Sequence, residues 1–329
     1  MAKKIVFLGT GGTIAGKAAS SSDNVGYRAA QVGVDDLLLA IPGLVEGLAG
    51  QILVPEQIAQ VDSKDMCFAV WQKLAQRISH YLAQDDVSGV IVTHGTDTLE
   101  ETAYFLYAVL AREQLSKKPV VLTCAMRPAS SQTPDGPQNV LDALSVVNTP
   151  GAHGVSVVCA GTVHTALSVQ KVHPYKLDAF SSGDSGPIAY VEEGIVRLVN
   201  QWTLAGLEHD CSGAQIQTNV ENWPRIEVVM NYVGASGASV DALVLHGEAS
   251  GQTPVKGLVV SATGNGTIHQ DLERGLTRAV QAGVRVLVST RCPQGSLIAH
   301  QASKFSMAQG LSPVKARIAL MLSLMARNN

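Results

Sequence analysis

The sequence predicts an α/β fold made of a larger N-terminal domain, whose mainly parallel sheet is flanked by helices, and a smaller C-terminal α/β domain. Apolar β-branched runs alternate with amphipathic helical segments through most of the chain, as in a parallel sheet covered on both faces. The 329 residues exceed what one hydrophobic core usually holds. A polar stretch without a sustained period, 201–224, predicts a linker between domains at 1–200 and 225–329.

The first predicted strand, residues 4–8, leads directly into a glycine-rich turn. Three glycines in four positions are followed by a hydroxyl, that of Thr13. Glycine lets the backbone adopt positive φ angles or pass close to a ligand. The polar, serine-rich residues that follow, 17–26, predict a mobile loop that ends near Tyr27.

The remaining elements of the first domain follow from the spacing of apolar residues. Helical spacing predicts helices, and short β-branched runs predict strands. The order is a helix at 34–41, a strand at 52–61, a helix over 71–82 with Ser63 as its cap, a strand at 90–93, a helix from Leu99, a strand at 120–124, a helix at 140–147, a strand at 155–159 and a hairpin at 188–199 that turns at Glu193-Gly194.

The second domain is predicted from a shorter alternation of the same kind. Its segments are 226–230, 240–245, 258–261, 272–282 and 284–289. Ser312 and Pro313 predict the cap and the first residue of a final helix at 314–325, because proline is favoured in the first helical turn.

Charge and composition favour a small-molecule partner. The formal charge is −3 and the pI is near 6.3, which gives no support to a nucleic-acid partner. No apolar run approaches the ~20 residues that span a bilayer, and no signal peptide is recognisable. We therefore expect a cytoplasmic protein with no membrane partner. A periplasmic protein written without its leader would have the same features.

The cysteines and histidines give no indication of a metal site. The five cysteines are an odd number without Cys-x-x-Cys spacing, which favours reduced thiols. Cys124 and Cys159 lie in strand-like apolar runs and are expected to be buried. The nine histidines lack metal-ligand spacing, so we expect no metal and no other cofactor.

Residues 90–101 contain a second turn that resembles the first. A strand-like run ends at Gly95, the polar residues Thr96 and Asp97 follow, and an amphipathic helix then begins. Asp97 or Thr98, each followed three residues later by a glutamate, also has the spacing of an ordinary capping box. Two such turns favour a ligand site instead, because ligands bind at the carboxyl ends of strands in open parallel sheets.

These two turns closely resemble the two signature segments of bacterial-type L-asparaginases. The resemblance rests on Thr10-Gly11-Gly12-Thr13-Ile14-Ala15-Gly16 and His94-Gly95-Thr96-Asp97-Thr98-Leu99-Glu100-Glu101-Thr102-Ala103, and it continues at Ala125-Met126-Arg127-Pro128, Asp135-Gly136-Pro137, Gly264-Asn265-Gly266 and Pro313-Val314-Lys315-Ala316-Arg317. It implies that residues 1–200 form a catalytic domain that hydrolyses the side-chain amide of L-asparagine through a threonine acyl-enzyme, with glutamine as a side substrate. It also implies a homotetramer with each site closed by a neighbour.

The resemblance assigns roles to individual residues. Thr13 corresponds to the threonine that attacks the amide, and Tyr27 to the tyrosine that hydrogen-bonds it. Thr96, Asp97 and Lys171 correspond to a second set on the other side of the substrate.

The remaining assignments concern substrate binding. Ser63 and Asp97 would hold the α-carboxylate and the α-ammonium of the substrate, and the carbonyl of Ala125 would hold its amide nitrogen. Gly12 and Gly95 each precede a backbone N–H, those of Thr13 and Thr96, that is suited to stabilise an oxyanion.

Three positions carry open questions. A lysine in the setting of Lys171 is by default an exposed surface charge, and the sequence leaves open whether it takes a proton or only orients Thr96. Lys64 stands where the periplasmic branch has glutamine, and Ala302 aligns with a glutamate supplied there by a neighbouring subunit. We therefore expect recognition of the α-amino group to depend on Asp97 and Asn265.

Four other interpretations match parts of the sequence. Residues 183–187 resemble the nucleophile segment of trypsin-like proteases, but those need two all-β barrels, so a turn before the hairpin is predicted. A dinucleotide fingerprint needs glycine where Ile14 stands. A non-catalytic amino-acid sensor on the same fold would bind without releasing ammonia. The amidase subunit of a tRNA-dependent amidotransferase usually has an added domain before the glycine-rich turn, and eight residues precede Gly9 here.

Overall fold

The computed structural model describes residues 2–202, 204, 215–249, 253–301 and 303–327. The chain divides into two compact units, Met1–Glu208 and His209–Asn329. Within the described residues, no helix combines the length and the apolar character needed to cross a membrane.

Eight of the ten strands described in the first unit form one large sheet. The ten strands of this unit are β1 (Lys4–Gly11), β2 (Ile52–Val61), β3 (Val87–Thr93), β4 (Pro119–Thr123), β5 (Gly154–Cys159), β6 (Thr162–Thr165), β7 (Gln170–Lys171), β8 (Phe180–Ser181), β9 (Ala189–Glu192) and β10 (Ile195–Leu198). Its α-helices are α1 (Val34–Leu39), α2 (Leu44–Gly47), α3 (Phe68–Leu82), α4 (Leu99–Val109), α5 (Arg112–Leu115) and α6 (Gly136–Asn148). β7 and β8 form a separate antiparallel pair.

The strand order of the large sheet is β10-β9-β6-β5-β4-β3-β1-β2. Strands β2, β1, β3, β4 and β5 are parallel, whereas β6, β9 and β10 pair in antiparallel fashion. The predicted α/β class with a mainly parallel sheet is therefore confirmed. Because the order reverses between β1 and β3, the carboxyl ends of these two strands form a topological switch point, where ligands of open α/β sheets bind.

Helices cover both faces of the parallel strands. On one face, Leu37 of α1 and Val140 of α6 join Phe7 and Ile91 in one buried cluster. On the other face, α3 packs against α4, and Trp71 stacks on Phe105 with ring centroids 4.8 Å apart. Coverage on both sides explains why β1 and β3 are nearly continuous apolar runs without polar alternation.

The predicted hairpin is present. β9 and β10 pair across a two-residue turn at Glu193 and Gly194, whose φ angles are 51° and 75°. Two positive φ angles give the turn type that suits the twist of a hairpin. The segment that resembles a protease nucleophile is a short 3₁₀ turn, Gly183–Ser185, before β9, as predicted.

One predicted helix cap is wrong, and the other is confirmed in position but forms no capping bond through its side chain. Ser63 does not cap α3, which begins at Phe68; Ser63 starts a short 3₁₀ turn, and its side chain bonds the neighbouring turn after β3. Ser312 directly precedes the final helix, which begins at Pro313 as predicted, and its carbonyl accepts from the N–H of Ala316. Its hydroxyl, however, is buried and has no hydrogen-bond partner among the described residues. A serine oxygen can accept from any free backbone N–H nearby, so Ser63 bonds the turn after β3 instead of a helix start.

The second unit is a smaller α/β unit, which also agrees with the predicted fold class. Its elements are β11 (Arg225–Met230), α7 (Ala238–Ala249), β12 (Val255–Ala262), α8 (Gln270–Gln281), β13 (Arg285–Thr290), β14 (Ser306–Met307) and α9 (Pro313–Arg327). The four strands are parallel in the order β11-β12-β13-β14. Of the predicted linker 201–224, residues 203 and 205–214 lie outside the described residues, and the rest contains two 3₁₀ turns.

Candidate active site

Two glycines bring the turns after β1 and β3 into direct contact. A Cβ atom added to Gly12, whose φ is 81°, would lie 2.3 Å from the Cα and the nitrogen of Gly95. A Cβ atom on Gly95 would lie 2.4 Å from the Oγ of Ser63, which follows β2. Only glycine fits at either position, so three adjacent strands deliver their carboxyl-end turns to one place.

Thr13 and Tyr27 form a close hydrogen-bonded pair at this place. Thr13 is buried at the start of a short 3₁₀ turn, and its Oγ1 lies 2.6 Å from the hydroxyl of Tyr27. The loop between them is closed by paired backbone hydrogen bonds between Lys17 and Arg28. Burial raises the pKa of Tyr27, so its phenol keeps its proton at neutral pH.

A second set of side chains forms around Lys171, which lies on β7. Its Nζ donates to Thr96 Oγ1 at 2.8 Å and to Asp97 Oδ1 at 2.6 Å. The Lys171 side chain is only 17% exposed, whereas that of Asp97 is 54% exposed. Lys171 is therefore not the exposed surface lysine of the default interpretation, and the carboxylate of Asp97 stays open to a ligand.

The capping-box alternative for this turn is wrong. α4 begins after Thr98, yet the side chain of Thr98 forms no capping hydrogen bond with the helix. Thr98 Oγ1 instead donates to the carbonyl of Ser63 at 2.7 Å, and Asp97 Oδ1 is taken by Lys171. The N–H of Asp97 donates to Ser63 Oγ at 3.2 Å, so these polar groups join two turns of the sheet rather than cap a helix.

Several backbone groups at the site are free to meet a ligand. Among the residues that the structure describes, the amide N–H groups of Thr13 and Thr96 form no hydrogen bond. After β4, the N–H of Met126 donates to Asp135 Oδ2 at 2.9 Å. Because the carbonyl of Ala125 shares a peptide plane with that N–H, it points away from Asp135. Asp135 thus fixes the direction of the Ala125 carbonyl.

Two of the predicted residues have other partners, and a third position lies outside the described residues. The exposed ammonium of Lys64 bonds the carboxylate of Asp65, which raises the pKa of Lys64. Asn265 lies in the second unit, where its side chain exchanges two hydrogen bonds with the backbone of Ile298, at 3.1 and 2.8 Å. Ala302 lies outside the described residues. The proposed contacts of all three with substrate stay predictions.

His94 was not among the predicted site residues, although it begins the second signature segment. It is fully buried, with Nδ1 2.7 Å from the carbonyl of Gly95 and Nε2 2.9 Å from Thr102 Oγ1. Burial lowers the pKa of His94 from 6.5 to about 4, and the bond to Gly95 opposes this only partly. A histidine directly after a largely apolar strand was the signal in the sequence, but spacing alone did not distinguish it from a core residue.

The buried His94 predicts how stability depends on pH. The folded chain keeps His94 neutral between pH 6.5 and about 4, whereas the unfolded chain binds a proton there. The free energy of unfolding should therefore fall as the pH is lowered through this range, by about 3 kcal/mol near pH 4, and should be unaffected above it. Urea unfolding at several pH values, with His94→Asn as comparison, measures this term.

The control for this measurement is His80→Asn, which removes an exposed histidine from α3. It should leave the pH dependence of unfolding as it is in the unaltered chain. A His94→Asn variant that loses stability toward pH 4 as steeply as the unaltered chain would contradict the assignment.

Comparisons with known proteins agree with this geometry. Residues 4–204 match the family model for the N-terminal domain of asparaginases, and residues 225–329 match that for the glutaminase/asparaginase C-terminal domain. The chain belongs to the asparaginase family. The resemblance identified from the two signature segments is thereby confirmed.

This asparaginase-family chain has relatives along nearly its whole length. It is 36% identical over 332 residues to L-asparaginase 2 of Bacillus subtilis strain 168, which covers 99% of this chain and 83% of the relative. It is 30% identical to the glutaminase-asparaginase of Pseudomonas fluorescens biotype A, covering 97% and 86% of the two chains. The crystal structure of the probable cytoplasmic L-asparaginase from Campylobacter jejuni superimposes with a TM-score of 0.87 at 34% identity, covering 98% and 95%.

Proposed function

We propose that the protein hydrolyses the side-chain amide of L-asparagine to L-aspartate and ammonia. The observation that carries this proposal is the convergence of two hydroxyl-bearing turns at Gly12 and Gly95, where the hydroxyl of Thr13 bonds Tyr27 and that of Thr96 bonds Lys171. An amide is a poor electrophile, so hydrolysis without a metal usually proceeds through a covalent acyl intermediate. The substrate class is taken from the asparaginase-family relatives, which are L-asparaginases and glutaminase-asparaginases.

In the first half of the proposed reaction, Thr13 Oγ1 attacks the side-chain amide carbon. Its proton passes to the phenol oxygen of Tyr27, the partner at 2.6 Å, as that phenol gives up its own proton, which goes to the leaving amide nitrogen. The oxyanion is held by the free N–H groups of Thr13 and Thr96. Collapse of this intermediate releases ammonia and leaves an ester on Thr13. The carbonyl of Ala125, fixed in direction by Asp135, is placed to accept from the amide nitrogen.

In the second half, water hydrolyses the ester with the help of the set around Lys171. Because Lys171 Nζ donates to Thr96 Oγ1, the hydroxyl proton of Thr96 is directed elsewhere. Asp97 Oδ1 lies 3.5 Å from that oxygen, too long for a strong bond, so the proton is available to the reacting groups. The same carboxylate is exposed enough to receive the substrate α-ammonium, and Ser63 is assigned to the α-carboxylate.

The decisive experiment is ammonia release from L-asparagine, L-glutamine and D-asparagine, measured side by side. L-Asparagine should be the best substrate. One methylene separates it from glutamine, which is worth ~1–3 kcal/mol in a pocket, so some glutaminase activity is expected. Saturable binding of L-asparagine without ammonia release would favour the non-catalytic sensor and overturn the proposal.

Lys64 tests how the substrate is recognised. Its exposed ammonium bonds the carboxylate of Asp65, so we expect no direct contact between Lys64 and the substrate. We expect Lys64→Gln to change the KM for L-asparagine less than about threefold, because exposed charge pairs contribute little. Steady-state kinetics provide the measurement, and a tenfold change in KM would show a direct contact instead.

We propose the following setting for this activity. Residues 1–200 form the catalytic domain and residues 225–329 a second domain joined by the segment 201–224, which is supported by the two compact units. The protein acts in the cytoplasm, as the description of the Campylobacter jejuni relative suggests. It assembles as a homotetramer with sites at subunit interfaces, which sedimentation analysis would test.

A further inference from the structure

A buried chain of three hydrogen bonds connects two helices to the turn after β3. Trp71 Nε1 of α3 lies 2.8 Å from Thr102 Oγ1 of α4, Thr102 Oγ1 lies 2.9 Å from His94 Nε2, and His94 Nδ1 lies 2.7 Å from the carbonyl of Gly95. Trp71, Thr102 and His94 are all buried. The proposed reaction does not use any of these three side chains directly.

The direction of every bond in this chain is determined. The indole nitrogen can only donate and the carbonyl of Gly95 can only accept. The pKa of His94, lowered to about 4, keeps the imidazole neutral at physiological pH, so its single N–H is on Nδ1. Thr102 therefore accepts from Trp71 and donates to His94 Nε2, and His94 Nδ1 donates to Gly95.

The last bond acts on a peptide group that the site uses. The carbonyl of Gly95 and the N–H of Thr96 belong to the same planar peptide group and point in opposite directions. Holding the oxygen on the histidine side therefore directs the N–H of Thr96 to the other side. Gly95 has no Cβ atom to restrict its own rotation, so the backbone alone does not fix this orientation.

We infer that His94 is a positioning residue, which holds the Gly95–Thr96 peptide so that the Thr96 N–H faces the reacting oxygen. The tryptophan and threonine behind it fix the tautomer that can donate to Gly95. This inference rests on the proposed function for the identity of the reaction, whereas the orientation of the peptide is a property of the structure by itself.

The test compares two substitutions of His94. His94→Leu fills the space with an apolar side chain and removes the hydrogen-bond donor. It should lower kcat for L-asparagine about 10–100-fold and change KM less than about threefold, because an oxyanion donor acts mainly in the transition state. His94→Asn places an amide N–H where Nδ1–H stood, and should retain kcat within about fivefold. A fall in both variants alike would indicate loss of packing only and overturn the inference.

The chain offers a matched control in His164. This second buried histidine lies on β6, outside the parallel core of the sheet, and its Nδ1 is 2.8 Å from the hydroxyl of Ser182. His164→Leu also removes a buried imidazole, and should reduce thermal stability without the loss of kcat. Equal kcat losses in His164→Leu and His94→Leu would overturn the positioning role.

A crystal structure of His94→Leu separates this inference from the proposed function. The Gly95–Thr96 peptide should be rotated or present in two orientations in that variant, and ordered in His94→Asn. An unchanged peptide in His94→Leu overturns the inference whether or not the unaltered chain releases ammonia. Absence of ammonia release from the unaltered chain, together with a rotated peptide in the variant, would overturn the proposed function and leave the positioning role supported.

Discussion

Replacing Thr13 with valine should lower kcat for L-asparagine by about 10⁴-fold or more, because the variant keeps the shape of the side chain but has no oxygen to form the ester. Thr13 is buried, and within the described part of the chain its hydroxyl bonds only Tyr27, so the fold should tolerate the exchange. Ammonia release measures kcat, and acid quenching followed by mass spectrometry of the Thr13 peptide tests for the covalent intermediate. The unaltered chain should show the adduct, and the variant should not.

Two comparison variants make this result specific. Thr13→Ser restores a hydroxyl and should recover a large part of the activity. Thr149→Val removes a hydroxyl that bonds the carbonyl of Ser145 at the end of α6, and should leave kcat unchanged within about twofold. Residual activity above about a tenth of normal in Thr13→Val would exclude Thr13 as the nucleophile.

Replacing Lys171 with methionine should lower kcat by about 10²–10⁴-fold, the range typical of a group that assists proton transfer. The ammonium holds both Thr96 and Asp97, at 2.8 and 2.6 Å, and methionine keeps the length of the side chain without either bond. Thr96 would lose its orientation, and Asp97 would be left without its positive partner. Steady-state kinetics with L-asparagine provide the measurement.

Lys118→Met is the matched control for Lys171. Lys118 also uses its Nζ to bond two oxygen atoms, the carbonyls of Leu82 and Gln84, but it precedes β4 and so lies at the amino ends of the parallel strands. Its replacement should affect stability and leave kcat within about twofold. Similar losses of kcat in both variants would assign Lys171 a structural role only.

The sequence was sufficient for the parts of the fold that depend on long apolar runs and glycine-rich turns. The β2 bounds were predicted as the structure has them, and the hairpin turn at Glu193 and Gly194 was found because its φ angles need particular residues. β6 and the two-residue β7 were missed. Such short strands bury too few apolar side chains to leave a periodic pattern in the sequence.

The sequence likewise predicted some features of the candidate site and left others undetermined. The turn that contains Gly12 was predicted to allow close backbone approach, because glycine has no side chain, whereas the contact of Gly12 with Gly95 came from the structure. Ser63 was interpreted as a helix cap, since a serine at that spacing is equally suited to bond a neighbouring turn. The sequence left the surroundings of Lys171 undetermined, because its partner Thr96 lies far away in the chain. It also left the burial of His94 undetermined, because the Trp71 that bonds its partner Thr102 comes from another helix.

By itself, the sequence determined the alternation of strands and helices, the two glycine-flanked hydroxyls and the family that carries them. These features are local, because hydrophobic periodicity and glycine conformation act within a few residues. Only the tertiary structure decided that Lys171 is held between Thr96 and Asp97 and that His94 donates to the carbonyl of Gly95. The protonation state of a side chain and the direction of its hydrogen bonds depend on the surrounding dielectric and on partners from other parts of the fold. No local sequence pattern encodes them.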